Sequence, residues 1–233
     1  MIITIDGPAG SGKSTTARRV AEALQYVYLD TGAMYRAVAL AFLRTDTPPT
    51  PAAADDVLAA LALDVRYEDD GMHVFLGEED VTAKIRTSEV GGMASEISSL
   101  RAVRERLVEA QRRIGYEQEA RHGGVILDGR DTGTVVFPDA DLKVFMVADV
   151  EVRARRRRRE YAAEGREVPL DEIRSQIEAR DRRDRNRDIA PLRRADDAVE
   201  LDTTDRSIDD QVAFVVDRVK QRRDSGTSAE GPQ

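Results

Sequence analysis

Ile2-Ile3-Thr4-Ile5-Asp6-Gly7-Pro8-Ala9-Gly10-Ser11-Gly12-Lys13-Ser14 is the stretch of this 233-residue chain that decides its fold. Ile2, Ile3 and Ile5 form a short β-rich run that stops at Gly7, as a strand buried in a parallel sheet does. From Lys13 the pattern turns helical, with Ala17, Val20, Ala21 and Leu24 recurring at three- and four-residue spacing. Between strand and helix, Gly7 to Ser14 matches the phosphate-loop pattern G-x-x-x-x-G-K-[ST] at every position. Its glycines permit positive φ, so that backbone N–H groups curl around phosphate oxygens, and the helix start adds its positive dipole end. The chemistry predicts a triphosphate held by Gly7, Pro8, Ala9, Gly10, Ser11, Gly12, Lys13, Ser14 and Thr15. Lys13 would reach the β and γ phosphates, and the Ser14 hydroxyl would face a Mg²⁺ that arrives with the nucleotide.

Outward from the loop the same grammar continues. Val27-Tyr28-Leu29-Asp30 reads as a second strand, and Thr31 to about Leu43 as a helix with Met34, Val38 and Phe42 on one face. Strand, loop, helix, strand, helix is the signature of a parallel α/β sheet. Residues 45–54 carry three prolines and interrupt it. Leu63, Val65 and Tyr67 then alternate with polar residues, Asp69-Asp70-Gly71 turns the chain, and His73-Val74-Phe75-Leu76 returns, which predicts a β-hairpin in an inserted subdomain at 55–90. A helix is expected at about 100–120, strands at Val125–Leu127, Leu142–Val147 and Ala198–Leu201, and a closing helix at 207–222. Between the last two strands lies a charged helical stretch, 150–190, divided by Gly165 and Pro169, and 223–233 has the composition of a disordered tail. The predicted class is a three-layer α/β fold with a parallel sheet, whose core comprises 1–54, 91–149 and 191–222.

Val125-Ile126-Leu127-Asp128 supplies the element that a phosphate loop needs opposite it, an apolar strand delivering a carboxylate toward the metal. A GTPase would read guanine through an Asn-Lys-x-Asp element; the single Asn, Asn186, is followed by Arg and Asp, which argues against that class. The excess of Arg suits an enzyme that brings two anions together, where catalysis is positioning and charge neutralisation and the acceptor phosphate itself attacks.

With these residues in view, the chain resembles bacterial cytidylate (CMP) kinases along nearly its whole length. The resemblance rests on Ile3–Pro8, Leu29-Asp30-Thr31-Gly32-Ala33-Met34-Tyr35-Arg36, Ile85-Arg86-Thr87, the segment Asp128 to Pro138, and Arg180 to Arg187. It implies a P-loop kinase fold in which the 55–90 insertion is the CMP-binding subdomain and the Arg-rich 150–190 stretch the lid. It implies that Arg36, Arg130 and Arg187 surround the acceptor phosphate, where forked donors suit an oxyanion. It further implies that Ser95, Arg104 and Asp131 read cytosine and that Arg180 with Asp184 contacts the sugar. Thr31 and Tyr35, one helical turn apart, would share the face that meets the nucleotide, and Thr31 could also cap its helix. Lys13, Asp128, Arg130 and Arg187 are thus the expected catalytic set.

Of the six arginines between Arg153 and Arg159, only Arg153, Arg156 and Arg157 can share one helix face. The resemblance assigns such lid arginines to the ATP phosphates, with Arg156 and Arg157 as candidates; a solvated helix is the other reading. The net charge of −8, five Phe and no Trp disfavour a nucleic-acid-binding protein. Absence of Cys excludes disulfides, thiol nucleophiles and cysteine metal sites. No stretch approaches the roughly 18 apolar residues of a membrane span, and the N-terminal stretch has no basic leader, so a cytoplasmic location is expected; the expected partners are the small-molecule substrates alone, with the protein a monomer. The expected reaction is γ-phosphoryl transfer from ATP to CMP or dCMP, with another monophosphate such as UMP or AMP as the rival acceptor.

Overall fold

The computed structural model describes residues 1–163 and 165–227. The chain forms two compact units, Met1–Val27 with Gln118 onward, and Tyr28–Glu117.

The first unit is built on β1 (Ile2–Asp6), β6 (Val125–Gly129), β7 (Leu142–Val147) and β8 (Val199–Asp202), which lie side by side in the order β6-β1-β7-β8, and the short strand β2 (Val27–Asp30) starts where this unit's first segment ends. The pairings of β6, β7 and β8 are parallel, with Ile5 opposite Asp128 on one side and Val144 on the other. β1 and β6 are buried at every position, which is why Ile2, Ile3 and Ile5 and the run Val125-Ile126-Leu127 show no polar face in alternation. Helix α1 (Lys13–Leu24) packs on β6 and on α8 (Ile208–Thr227), and α8 also covers β7. The α/β class with a parallel sheet flanked by helices is therefore as the sequence predicts.

Helices α6 (Val150–Ala163) and α7 (Leu170–Asn186) pair through a small core of Ala154, Tyr161, Ile173 and Ile177. Pro169 stands at the N-cap of α7, followed by Asp171 and Glu172 in its first turn, where acidic side chains favour the helix dipole. α8 runs through Thr227, five residues past its expected end, so a tail starting at 223 is not what the described residues show; 228–233 lie outside them.

The second unit holds α2 (Thr31–Arg44), α3 (Pro51–Ala59), the hairpin β3 (Leu63–Glu68) and β4 (Gly71–Leu76) with β5 (Glu79–Asp80), α4 (Ser88–Ile97) and most of α5 (Arg101–His122). β3 alternates half-buried and exposed positions in the period-two pattern that announced it. This unit is wider than the 55–90 insertion expected from sequence. The reason is packing: α2, with Met34, Val38 and Phe42 buried, packs on α4 and β4. The proline-rich interruption also contains a helix, since Thr50 caps Ala53 N–H and Pro51 occupies the first turn, where proline needs no donor.

Candidate functional site

In the first unit the chain leaves β1 at Gly7, where φ is +150° and an added Cβ would stand 2.1 Å from the Met146 carbonyl oxygen. Only glycine fits that close approach to β7. The loop ends at Gly12, which caps α1 with φ of 96°. Lys13 is buried, and its Nζ donates to Pro8 O at 2.7 Å and reaches Ser11 Oγ at 3.4 Å. Burial, reinforced by the Arg130 charge, holds its ammonium well below the ordinary lysine range. Ser14 Oγ donates to Asp128 Oδ2 at 2.7 Å, so the end of β6 meets the start of α1, while Ser14 and Thr15 stay open to solvent.

Two residues past Asp128 the same segment turns to α7. Arg130 Nε donates to Asp184 Oδ2 at 2.9 Å, and Arg187 Nη2 lies 3.5 Å from Asp131 Oδ1. Burial alone would raise the Asp184 carboxyl, but Arg130, Arg180 and Arg187 together hold it below its ordinary value. Arg130, Asp131, Arg180, Asp184 and Arg187 thus form one cluster, four of them joined in two arginine–carboxylate pairs.

Asp6 is a site residue that sequence reading passed over. It accepts from Thr132 N at 2.9 Å, Thr132 Oγ1 at 2.8 Å and Gly133 N at 2.7 Å, and so anchors a π-helical turn, Thr132–Val136, directly after Asp131. Burial pushes its carboxyl up to about 6 against the pull of those bonds. A strand-end Asp before a phosphate loop was visible; its partner 126 residues on was not.

The α6 arginines separate. Arg153 is buried, donates twice to Asp181 at 3.1 and 2.7 Å, and donates to Ala9 O at 3.1 Å. Arg156 donates to Thr203 and reaches Ser11 O at 3.4 Å. Arg157 pairs instead with Glu160 at 2.8 Å and lies 4.5 Å over the Tyr161 ring. Of the two lid candidates, then, only Arg156 touches the loop; Arg153 touches it more extensively.

The second unit carries the other acceptor candidates. Asp30, not Thr31, caps α2, accepting from Ala33 N at 2.9 Å and from Arg86 at 2.9 Å. Thr31 is the first helical residue and is buried. Arg36 donates to Ile85 O at 3.2 Å, and its guanidinium lies against Gly91, where an added Cβ would stand 3.2 Å from Nη1. Arg104 is buried, donates to Ser98 O at 3.2 Å and sits 5.9 Å from the Tyr35 ring centre. Ser95 Oγ is buried with no protein partner, an arrangement that costs free energy unless a ligand supplies one.

The family described as cytidylate kinase matches residues 3–221. A cytidylate kinase of Salinibacter ruber is 64% identical over 97% of this chain and 100% of its own length. One of Chloroherpeton thalassium is 50% identical over 92% and 91% of the two chains. A solved gluconokinase structure from Sinorhizobium meliloti shares the fold at a TM-score of 0.50, with 14% identity over 98% of this chain and 97% of that one. With the family matched across nearly all of its sequence and relatives similar end to end, the chain belongs to the cytidylate kinase family.

Proposed function

We propose that the protein transfers the γ-phosphoryl group of ATP to CMP or dCMP. The observation that carries this reading is the economy of one segment. Asp128 meets the phosphate-loop hydroxyl of Ser14, and two and three residues later Arg130 and Asp131 meet Asp184 and Arg187. A group for donor-side chemistry and groups suited to an anionic acceptor are thus held by a single rigid strand end.

In the reaction an oxygen of the acceptor phosphate attacks the γ phosphorus in line, and the bond to the bridging β–γ oxygen breaks to leave ADP. The loop amides from Gly7 to Ser14 and the Lys13 ammonium stabilise charge on the transferring group, and the phosphate anions in turn favour the charged form of Lys13. The Ser14 hydroxyl and the Asp128 carboxylate are hard oxygen donors 2.7 Å apart, a donor set that fits Mg²⁺. Held there with ATP, the metal would neutralise charge on the donor phosphates. Arg130 and Arg187 present forked donors suited to the acceptor phosphate, and the family resemblance gives Arg36 a role toward the same group. Asp131, Ser95 and Arg104 read the base, Arg180 and Asp184 take the sugar, and Thr31 and Tyr35 line the nucleotide. A carboxylate accepts from the cytosine amino group and a guanidinium donates to its ring acceptors. Arg156 is the lid arginine best supported for the donor phosphates, with Arg157 a candidate only if it leaves Glu160.

Among the described residues no helix is long and apolar enough to cross a membrane. We place the protein in the cytoplasm as a monomer acting on small molecules, without nucleic-acid partners. A coupled assay over CMP, dCMP, UMP and AMP tests the acceptor assignment.

A further inference from the structure

Arg153 is the most deeply buried arginine of α6, yet it faces no bulk solvent from which a lid arginine would swing. Its guanidinium makes two parallel bonds to Asp181 of α7 at 3.1 and 2.7 Å, a third to the Ala9 carbonyl at 3.1 Å, and its Nε donates to Ala148 O at 3.0 Å. Its Cβ forms the wall behind Gly10, where an added methyl would come within 3.2 Å of it. Both partners of the ion pair are nearly inaccessible, with side chains 5% and 7% exposed. Asp181 is adjacent in sequence to Arg180 and lies one helical turn before Asp184, so the same turn of α7 carries acceptor-side candidates. The phosphate loop and α7 therefore share one rigid, bidentate connection.

We propose that Arg153 and Asp181 are a positioning pair that couples the phosphate loop to α7, so that triphosphate in the loop strengthens monophosphate binding. The proposal rests on the assignment of α7 to the acceptor. A buried fork-to-carboxylate pair has one low-energy geometry, and a displacement of the Ala9–Gly10 backbone moves the guanidinium and Asp181 with it. By reciprocity, monophosphate must strengthen triphosphate binding by the same factor.

The test measures CMP affinity by calorimetry with and without a non-hydrolysable ATP analogue and Mg²⁺. For the wild type the analogue should tighten CMP binding about 5-fold or more, a factor at the low end of allosteric couplings. In Arg153→Lys, which keeps charge but not the fork, that factor should fall toward one while CMP alone binds as in the wild type. Because removing one partner leaves a buried charge uncompensated, the double variant Arg153→Met with Asp181→Leu gives a second test with the packing kept. In the wild type alone, CMP should slow hydrogen exchange of the 7–14 amides. Undiminished coupling in a folded variant overturns the proposal, as does a wild type that binds CMP with neither analogue effect nor protection of the loop. A wild type that binds no CMP under any condition removes the assignment of α7 itself, and the proposal with it.

Discussion

Arg36 rests on the bare backbone of Gly91, close enough that a single methyl group would stand 3.2 Å from its Nη1. Gly91 lies inside α4, where glycine costs roughly 1 kcal/mol relative to alanine, so its presence calls for a packing reason. Gly91→Ala should therefore stabilise the helix slightly and displace the guanidinium. If Arg36 holds the acceptor phosphate, KM for CMP should rise about 10-fold, the loss of one charge-assisted hydrogen bond. Steady-state kinetics decides it: an unchanged KM for CMP would detach Arg36 from the acceptor.

Lys13 is buried against Pro8 and Ser11 at the start of α1. Lys13→Ala should cut kcat by about 100-fold or more, on the scale of losing one preorganised charge at a transition state. Its circular dichroism should remain that of the wild type. Full turnover by the folded variant would remove the loop from catalysis.

Asp131 shares an ion pair with Arg187, so its removal has two possible consequences. If it reads the base, Asp131→Ala raises KM for CMP about 10-fold or more with little change in that for ATP. Equal changes in both constants would mark it as a scaffold for Arg187 alone.

His73 is clasped on β4 by Asp80 and Asp70, each at 2.8 Å. Those two carboxylates, Asp80 first, raise its imidazole from 6.5 to about 9. A group whose folded pKa lies above its unfolded one contributes stability that is complete below pH 6.5 and is lost as pH rises through about 9. The clasp is exposed, so the effect is small. Wild type should lose a little more thermal stability than His73→Gln between pH 6 and 9.5; identical slopes would show that the clasp contributes nothing.

What could be read in the sequence was what depends on near neighbours. The strand–loop–helix from Ile2 to Leu24, the hairpin around Asp69–Gly71 and the apolar strand ending at Asp128 all carry their periodicity within a few residues. What escaped depends on distant partners or on signals that compete. Three prolines concealed α3, although Thr50 and Pro51 are good starting residues. Gly91-Gly92 concealed α4 because glycine is a poor helix former, and the space it leaves for Arg36 exists only in three dimensions. In the sequence Arg153 is indistinguishable from the other arginines of its run, because the Asp181 that buries it lies on a different helix. Membership of the second unit was equally hidden, since nothing in the 31–44 pattern says which surface will cover it.

The central claim is that this phosphate-loop protein phosphorylates cytidine monophosphates. It is tested most directly by ADP release in a coupled assay over CMP, dCMP, UMP and AMP at equal concentrations. Selective turnover with CMP and dCMP, at the highest kcat/KM of the panel, is the predicted result. Equal or greater kcat/KM with UMP or AMP would contradict it.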